Sequence, residues 1–228
     1  MNCGILYTIA TPIGNLEDIT YRAIRILHEV DRIICEDTRE TLKLLQNYDI
    51  TSKRPLLSYH AQSSIFRENE ILSYLQKGET IALVADRGTP GISDPGSRLI
   101  HRAVAIGATI IPIPGPAAFL AALQASGAAT KAFSFLGFLP HKKGRQTILQ
   151  HALAQADTVV FYESPHRIIK CLEQLIAFGS SDRPIILARE LTKKHEEFLR
   201  GTAQALLDEL KNREAVYGEF VVIIDAQS

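Results

Sequence analysis

The sequence predicts an α/β protein of two domains. The first, residues 1–125, has a mostly parallel, doubly wound sheet; the second, residues 126–228, is an α+β domain with a mixed sheet. Three observations carry this reading. In the first half, short apolar runs alternate with segments whose apolar residues recur at helical spacing, the pattern of strand–helix–strand units. Beyond the small, polar stretch 126–130, strands succeed one another with little between them, as in a mixed or antiparallel sheet. Finally, three loops rich in Pro and Gly each come after an apolar run, and in a parallel sheet the carboxyl ends of neighbouring strands share one edge.

The first strand is expected at 4–10, then the turn TPIGN and a helix over 19–30, where Ile19, Ala23, Ile26, Leu27 and Val30 recur on one side. A strand at 32–35, a helix at 38–48, a short strand at 56–58 and an amphipathic helix at 66–75, closed by Gly78, come next. Residues 81–85 form an uninterrupted apolar run ended by an acid, which reads as a strand buried on both faces. The loop DRGTPGISDPG after it excludes regular structure. A helix over 99–106 stopped by Gly107 and a β-branched strand over 109–113 lead into PGPAA. In the second half, strands are expected at 133–139, 159–162, 185–189, 196–200 and 220–224, with helices at 146–153, 165–178 and 203–211. Ser164 and Pro165 supply the cap and first position of the long helix.

Composition narrows the function. The chain holds 25 basic and 25 acidic residues among 228, so long-range attraction to nucleic acid or an anionic membrane is not its main instrument. Any polyanion must be met by local patches. No segment is long enough to span a bilayer, and the N-terminal run lacks a basic flank and a cleavage signal. Cys3, Cys35 and Cys171 are far apart and lack ligand spacing, which argues against disulfides and metal and for a cytoplasmic protein. The nucleotide-binding patterns GxxxxGK[ST] and GxGxxG are absent, leaving a small cofactor held by backbone groups and a few polar side chains.

Asp86 sits at a strand exit with no helix to cap, and is the acid expected to contact a ligand. Asp94, before Pro95, reads as a helix cap, as do Glu36 and Asp37 ahead of the helix from Thr38. Lys142, Lys143 and Arg145 precede a helix, where positive charge opposes the helix dipole; phosphate binding and an ordinary solvated loop are both open. Lys193 and Lys194 lie in TKKHEEF, where Glu196 and Glu197 can balance them in a surface turn. Glu163, His166, Arg167 and Arg189 are polar residues near strand ends of the second domain. None is singled out as a catalytic base.

ATPIGNLEDITYRA, EDTRET, LVADRGTPGISDPG, PIPGPAAFLAAL, GFLPHKKG, VFYESPHR, ARELTKKHEEFLRGT and GEFVVII, in that order, resemble the ribosomal RNA small subunit methyltransferase I group of the tetrapyrrole methylase superfamily across essentially the whole chain. The resemblance implies 2′-O-methylation of a cytidine ribose in 16S rRNA with S-adenosyl-L-methionine, by an often dimeric enzyme of two α/β domains with the ligand cleft between them. It places cofactor contacts on Pro12, Asp86, Gly88, Thr89, Gly115, Pro116, Ala117, Ala118, Phe161, Tyr162 and Glu219. It makes Lys142, Lys143, Arg145, Arg167, Lys193 and Lys194 the candidate RNA-binding residues. The chain departs from the group at Arg87, where a small residue is usual, and at Ala117, where Ser is usual. Two other functions compete: a tetrapyrrole C-methyltransferase on the same fold, for which the basic motifs would have no phosphate to meet, and a non-catalytic metabolite- or RNA-binding module. The neutral charge balance favours an assembled small ribosomal subunit over free RNA as substrate.

Overall fold

The computed structural model describes residues 3–180 and 183–226. The chain divides into two compact units, Met1–Ala117 and Ala118–Ser228.

In the first unit the elements run β1 (Ile5–Ile9), α1 (Tyr21–Glu29), β2 (Arg32–Cys35), α2 (Thr38–Asn47), β3 (Leu57–Ser58), α3 (Ile65–Gln76), β4 (Thr80–Val84), α4 (Gly96–Ala105) and β5 (Thr109–Ile113). The five strands form one parallel sheet in the order β3-β2-β4-β1-β5. Both faces are covered. Alternate residues Ile9, Ile33, Cys35, Ala82, Val84 and Ile113 pack under α1 and α2, whereas Leu6, Ile34, Ile81 and Leu83 pack under α3 and α4. That two-sided burial is why β4 reads as a continuous apolar run. Pro112 lies in β5, at the sheet edge, where a missing N–H costs no internal ladder bond.

The helix expected over 19–30 is shorter. A 3₁₀ turn, Leu16–Asp18, precedes it, and Thr20 takes the cap position, its Oγ1 accepting from Ala23 N at 3.1 Å. The hydroxyl satisfies one of the free amides of the first turn and fixes the start there.

In the second unit the elements are α5 (Ala118–Ser126), β6 (Phe133–Phe138), α6 (Arg145–Ala154), β7 (Thr158–Glu163), α7 (Pro165–Ala177), β8 (Ile185–Arg189), β9 (Glu197–Gly201), α8 (Ala203–Lys211) and β10 (Phe220–Ile224). Their sheet has the order β6-β7-β10-β8-β9, parallel between β6 and β7 and antiparallel elsewhere. Helices α6, α7 and α8 cover one face through Val159, Phe161, Leu187 and Val222, and α5 lies against β7, β8 and β10.

Helix α5 therefore belongs with the second unit, one helix earlier than the boundary expected after residue 125. The small residues that looked like a linker are fastened: Arg200 donates to the carbonyls of Ala125 at 2.6 Å and Ser126 at 2.9 Å, and Asp225 accepts from Ala129 N at 2.9 Å. Small, polar composition here serves close packing and hydrogen bonding. Among the described residues, no helix is long and apolar enough to cross a membrane.

Candidate cofactor site and nucleic-acid surface

The loops after β1, β4 and β5 meet at one edge of the first sheet. Thr11 N donates to Gly88 O at 2.9 Å and Gly88 N donates back to Thr11 O at 3.0 Å, so the first and second loops are bridged. Thr11 Oγ1 also donates to Ala85 O at 3.0 Å, and Thr89 Oγ1 to Pro116 O at 3.0 Å, which ties in the third loop. Gly88 has φ +77°, and a Cβ built on it would lie 3.5 Å from Ile13 Cγ2 and 3.7 Å from Pro116 O. Gly115 approaches so closely that its Cβ would stand 3.0 Å from that of Ala10. Pro12, Gly88, Thr89, Gly115, Pro116 and Ala117 thus share one rim, because the strand order puts β4, β1 and β5 side by side. A rim of glycines, prolines and an alanine leaves the backbone within reach of a ligand. This fits a small, largely backbone-recognised cofactor.

Acids crowd the same edge. Asp86 Oδ1 accepts from Asp37 N at 2.9 Å, fastening the β2–α2 turn to the β4 loop. Asp37 is the cap of α2, its Oδ1 accepting from Arg39 N at 2.8 Å. Glu36, expected to share that role, instead lines a small pocket with Tyr59, Asp94 and Gly96. Burial, together with the charges of Asp86 and Asp94, raises its pKa. Asp94 Oδ1 accepts from Gly91 N at 2.8 Å and Gly96 N at 2.6 Å, a structural bond at the start of α4. Burial raises its pKa against those two bonds.

In the second unit, Phe161 and Tyr162 point to opposite faces of β7. Phe161 is wholly buried beneath α6–α8, so the part of it left for the expected cofactor contact is its backbone. Tyr162 lies on the other face. Its Oη accepts from Phe119 N at 3.3 Å in the first turn of α5, and burial raises its pKa. Ala118 begins that helix. Glu219 is largely exposed, with Lys193 Nζ 3.0 Å from its Oε2.

A family model described as Tetrapyrrole (Corrin/Porphyrin) Methylases matches residues 5–207. The chain belongs to that family. It is 47% identical over 222 residues to the ribosomal RNA small subunit methyltransferase I of Synechocystis sp., covering 97% of this chain and 78% of the relative. For the protein of the same name from Thermotoga maritima the identity is 40%, over 98% of this chain and 99% of the relative. Among solved structures, a diphthine synthase superposes with a TM-score of 0.76 at 12% identity, covering 99% of this chain and 91% of that one. A uroporphyrin-III C-methyl transferase from Thermus thermophilus, complexed with S-adenyl homocysteine, gives 0.67 at 16% identity, covering 96% and 97%. These two likenesses establish the fold.

The basic residues of this methylase separate by burial. Lys142 and Lys143 are exposed in the loop between β6 and α6. Arg145, expected beside them as a phosphate contact, is 4% exposed and turned inward. Its Nη2 lies 2.6 Å from Glu163 Oε2 and its Nε donates to Gln174 Oε1 at 3.0 Å. Arg167 Nε is 2.8 Å from the other oxygen, Glu163 Oε1, which also accepts from Ser164 N at 2.9 Å. A buried carboxylate with both oxygens engaged by guanidinium groups holds three elements together, and neither arginine is a free phosphate ligand. Glu163 is equally unavailable as a base. Lys193 pairs with Glu190 at 2.8 Å and with Glu219, not with Glu196 or Glu197 as expected. Glu196 instead accepts from Thr192 N at 2.6 Å, and Glu197 pairs with Arg189 and Arg213. Lys194 is exposed.

The sequence reading missed an aromatic group around Tyr162. Phe119 stacks on Phe135 with centroids 4.3 Å apart, Phe135 meets Tyr162 edge-on at 5.1 Å, and Phe138 lies 4.9 Å from Tyr162. The spacing Phe133, Phe135, Phe138 in FSFLGF was its signal, hidden by an irregularity in the strand.

Proposed function

We propose that this methylase uses S-adenosyl-L-methionine to 2′-O-methylate a cytidine ribose in the 16S rRNA of the small ribosomal subunit, in the cytoplasm and as a homodimer. The observation that carries the reading is the joining of the β1, β4 and β5 loops at one sheet edge, in a chain 47% identical to a protein named ribosomal RNA small subunit methyltransferase I. Pro12, Asp86, Gly88, Thr89, Gly115, Pro116 and Ala117 are the cofactor contacts proposed in the first unit, and Ala118, Phe161 by its backbone, Tyr162 and Glu219 those proposed in the second. Lys142, Lys143 and Lys194 are the proposed RNA contacts.

The cofactor supplies an electrophilic methyl group on a sulfonium. Held at that rim, it would offer the methyl group to a ribose 2′ oxygen. Most of the chain's work is positional: the bridged loops fix one reactant so that the acceptor oxygen lies in line with the carbon. Thr11, Gly88 and Thr89 serve this by holding the loops to one another, independent of the second reactant.

Tritium transfer from labelled cofactor to small subunits lacking the modification tests the reading. Label is expected in a 2′-O-methylcytidine after digestion, with more incorporation into the particle than into naked 16S rRNA. Absence of label from any ribose would overturn it.

A further inference from the structure

Strand β6 carries an extra residue. Its pairing with β7 runs Phe135↔Val160 and then Phe138↔Tyr162, three residues against two, with Gly137 at φ +64°. Strict alternation would put Phe138 on the face of Leu136, which packs against the core beneath α6–α8. The bulge brings it instead to the face of Phe135, where both rings touch Tyr162. The outcome is a phenylalanine left 63% exposed, at the sacrifice of a core position. Bulges that re-aim one side chain occur beside functional sites, and here the re-aimed ring touches Tyr162 yet keeps most of its surface open.

The residues after Phe138 indicate the occupant. Lys142 and Lys143, both exposed, stand four and five positions on, and the loop between β6 and α6 is anchored from below: Arg167 Nη1 donates to Leu139 O at 3.4 Å and Arg145 N to Lys142 O at 3.3 Å. An exposed ring followed in the chain by two exposed lysines suits a single-stranded polyanion with planar bases, since each base stacks on an aromatic face while the cations meet its phosphates.

We propose that Phe138 is a base-stacking residue, taking one unstacked nucleobase of the RNA substrate while Lys142 and Lys143 hold the adjoining phosphates. This rests on the rRNA reading above and adds to it the strand conformation of the substrate and the residue that recognises it.

The test measures binding of a fluorescein-labelled, unstructured oligoribonucleotide and of the same sequence as a duplex by anisotropy, with cofactor affinity by calorimetry and oligomeric state by sedimentation. Phe138→Ala is expected to weaken single-strand binding about 5- to 100-fold and duplex binding little, Phe138→Trp to restore it, and cofactor affinity and oligomeric state to stay as in the wild type. Single-strand binding unchanged in Phe138→Ala overturns the stacking role alone. An equal loss of cofactor affinity would assign the ring to the cofactor, and dissociation of a dimer would assign it to a second copy; either overturns the proposal. Wild-type protein that neither binds the RNA nor methylates small subunits would overturn the rRNA reading and this proposal with it.

Discussion

Thr11 and Gly88, one after β1 and the other after β4, exchange both of their backbone hydrogen bonds. The pairing requires the left-handed conformation of Gly88, which a residue with a Cβ adopts at a cost of about 1–2 kcal/mol. Gly88→Ala is expected to lose that much stability in urea denaturation and to weaken S-adenosyl-L-methionine binding about tenfold, equivalent to ~1.4 kcal/mol. Gly107→Ala is the control. It has φ +79° and nothing within 4 Å of its Cβ position, so it should show the stability loss with cofactor affinity unchanged.

The three residues Arg145, Glu163 and Arg167 and the pair Lys142 and Lys143 should behave in opposite ways. Glu163→Gln leaves the buried Arg145 and the partly buried Arg167 without their counter-charge and is expected to cost about 3–5 kcal/mol. Replacing Lys142 and Lys143 together by Ala should change stability by less than about 0.5 kcal/mol. RNA affinity should fall in that double variant, with the salt dependence of binding reduced by roughly 1.4 to 1.8 in log–log slope. Equal stability losses in the two variants would refute the division.

Hydrogen bonds from Arg213 hold the Glu197 carboxyl below its ordinary value of 4.5, against the opposing effect of burial and with Arg189 adding to the pull. A carboxyl depressed on folding contributes stability that is present above the unfolded value and disappears as pH falls through the folded one. Denaturation midpoints should therefore decline as the solution is taken below about pH 4.5, and Arg213→Ala should make that decline shallower. A decline as steep in the variant as in the wild type would show that this carboxyl does not drive it.

Burial pushes the Cys35 thiol up to about 11 and the Cys171 thiol up to about 12. Since the thiolate is the reactive form, iodoacetamide at pH 8 is expected to leave both unmodified in the native protein and to alkylate them in denaturant. Cys3 is partly exposed and should react first. Mass spectrometry of native, alkylated protein decides the point, and rapid labelling of Cys171 would contradict the packing of α7.

Most of the architecture was legible because each element carries its own signal. Residues 32–35, 109–113, 185–189, 203–211 and 220–224 fall where periodicity put them. The convergence of the three loops came from the rule that parallel neighbours expose their carboxyl ends along one edge. Helix α5 was assigned to the wrong unit because small, polar residues mark linkers and tightly fastened turns alike.

The amino-acid sequence by itself determined the strands and helices, the three Pro/Gly loops and the family likeness, since all of these are written in local order and spacing. Only the tertiary structure decided what the charged and aromatic side chains do. Arg145 and Lys142 are three positions apart and chemically alike, yet one neutralises Glu163 inside the core and the other stands in solvent. In the apolar run TVVFYE, both faces of β7 are covered over most of its length, so alternation alone could not say that Phe161 faces the core and Tyr162 the aromatic group. The reason is the same in each case: pairing and burial depend on partners distant in the chain, and composition records that a partner is needed without recording where it lies.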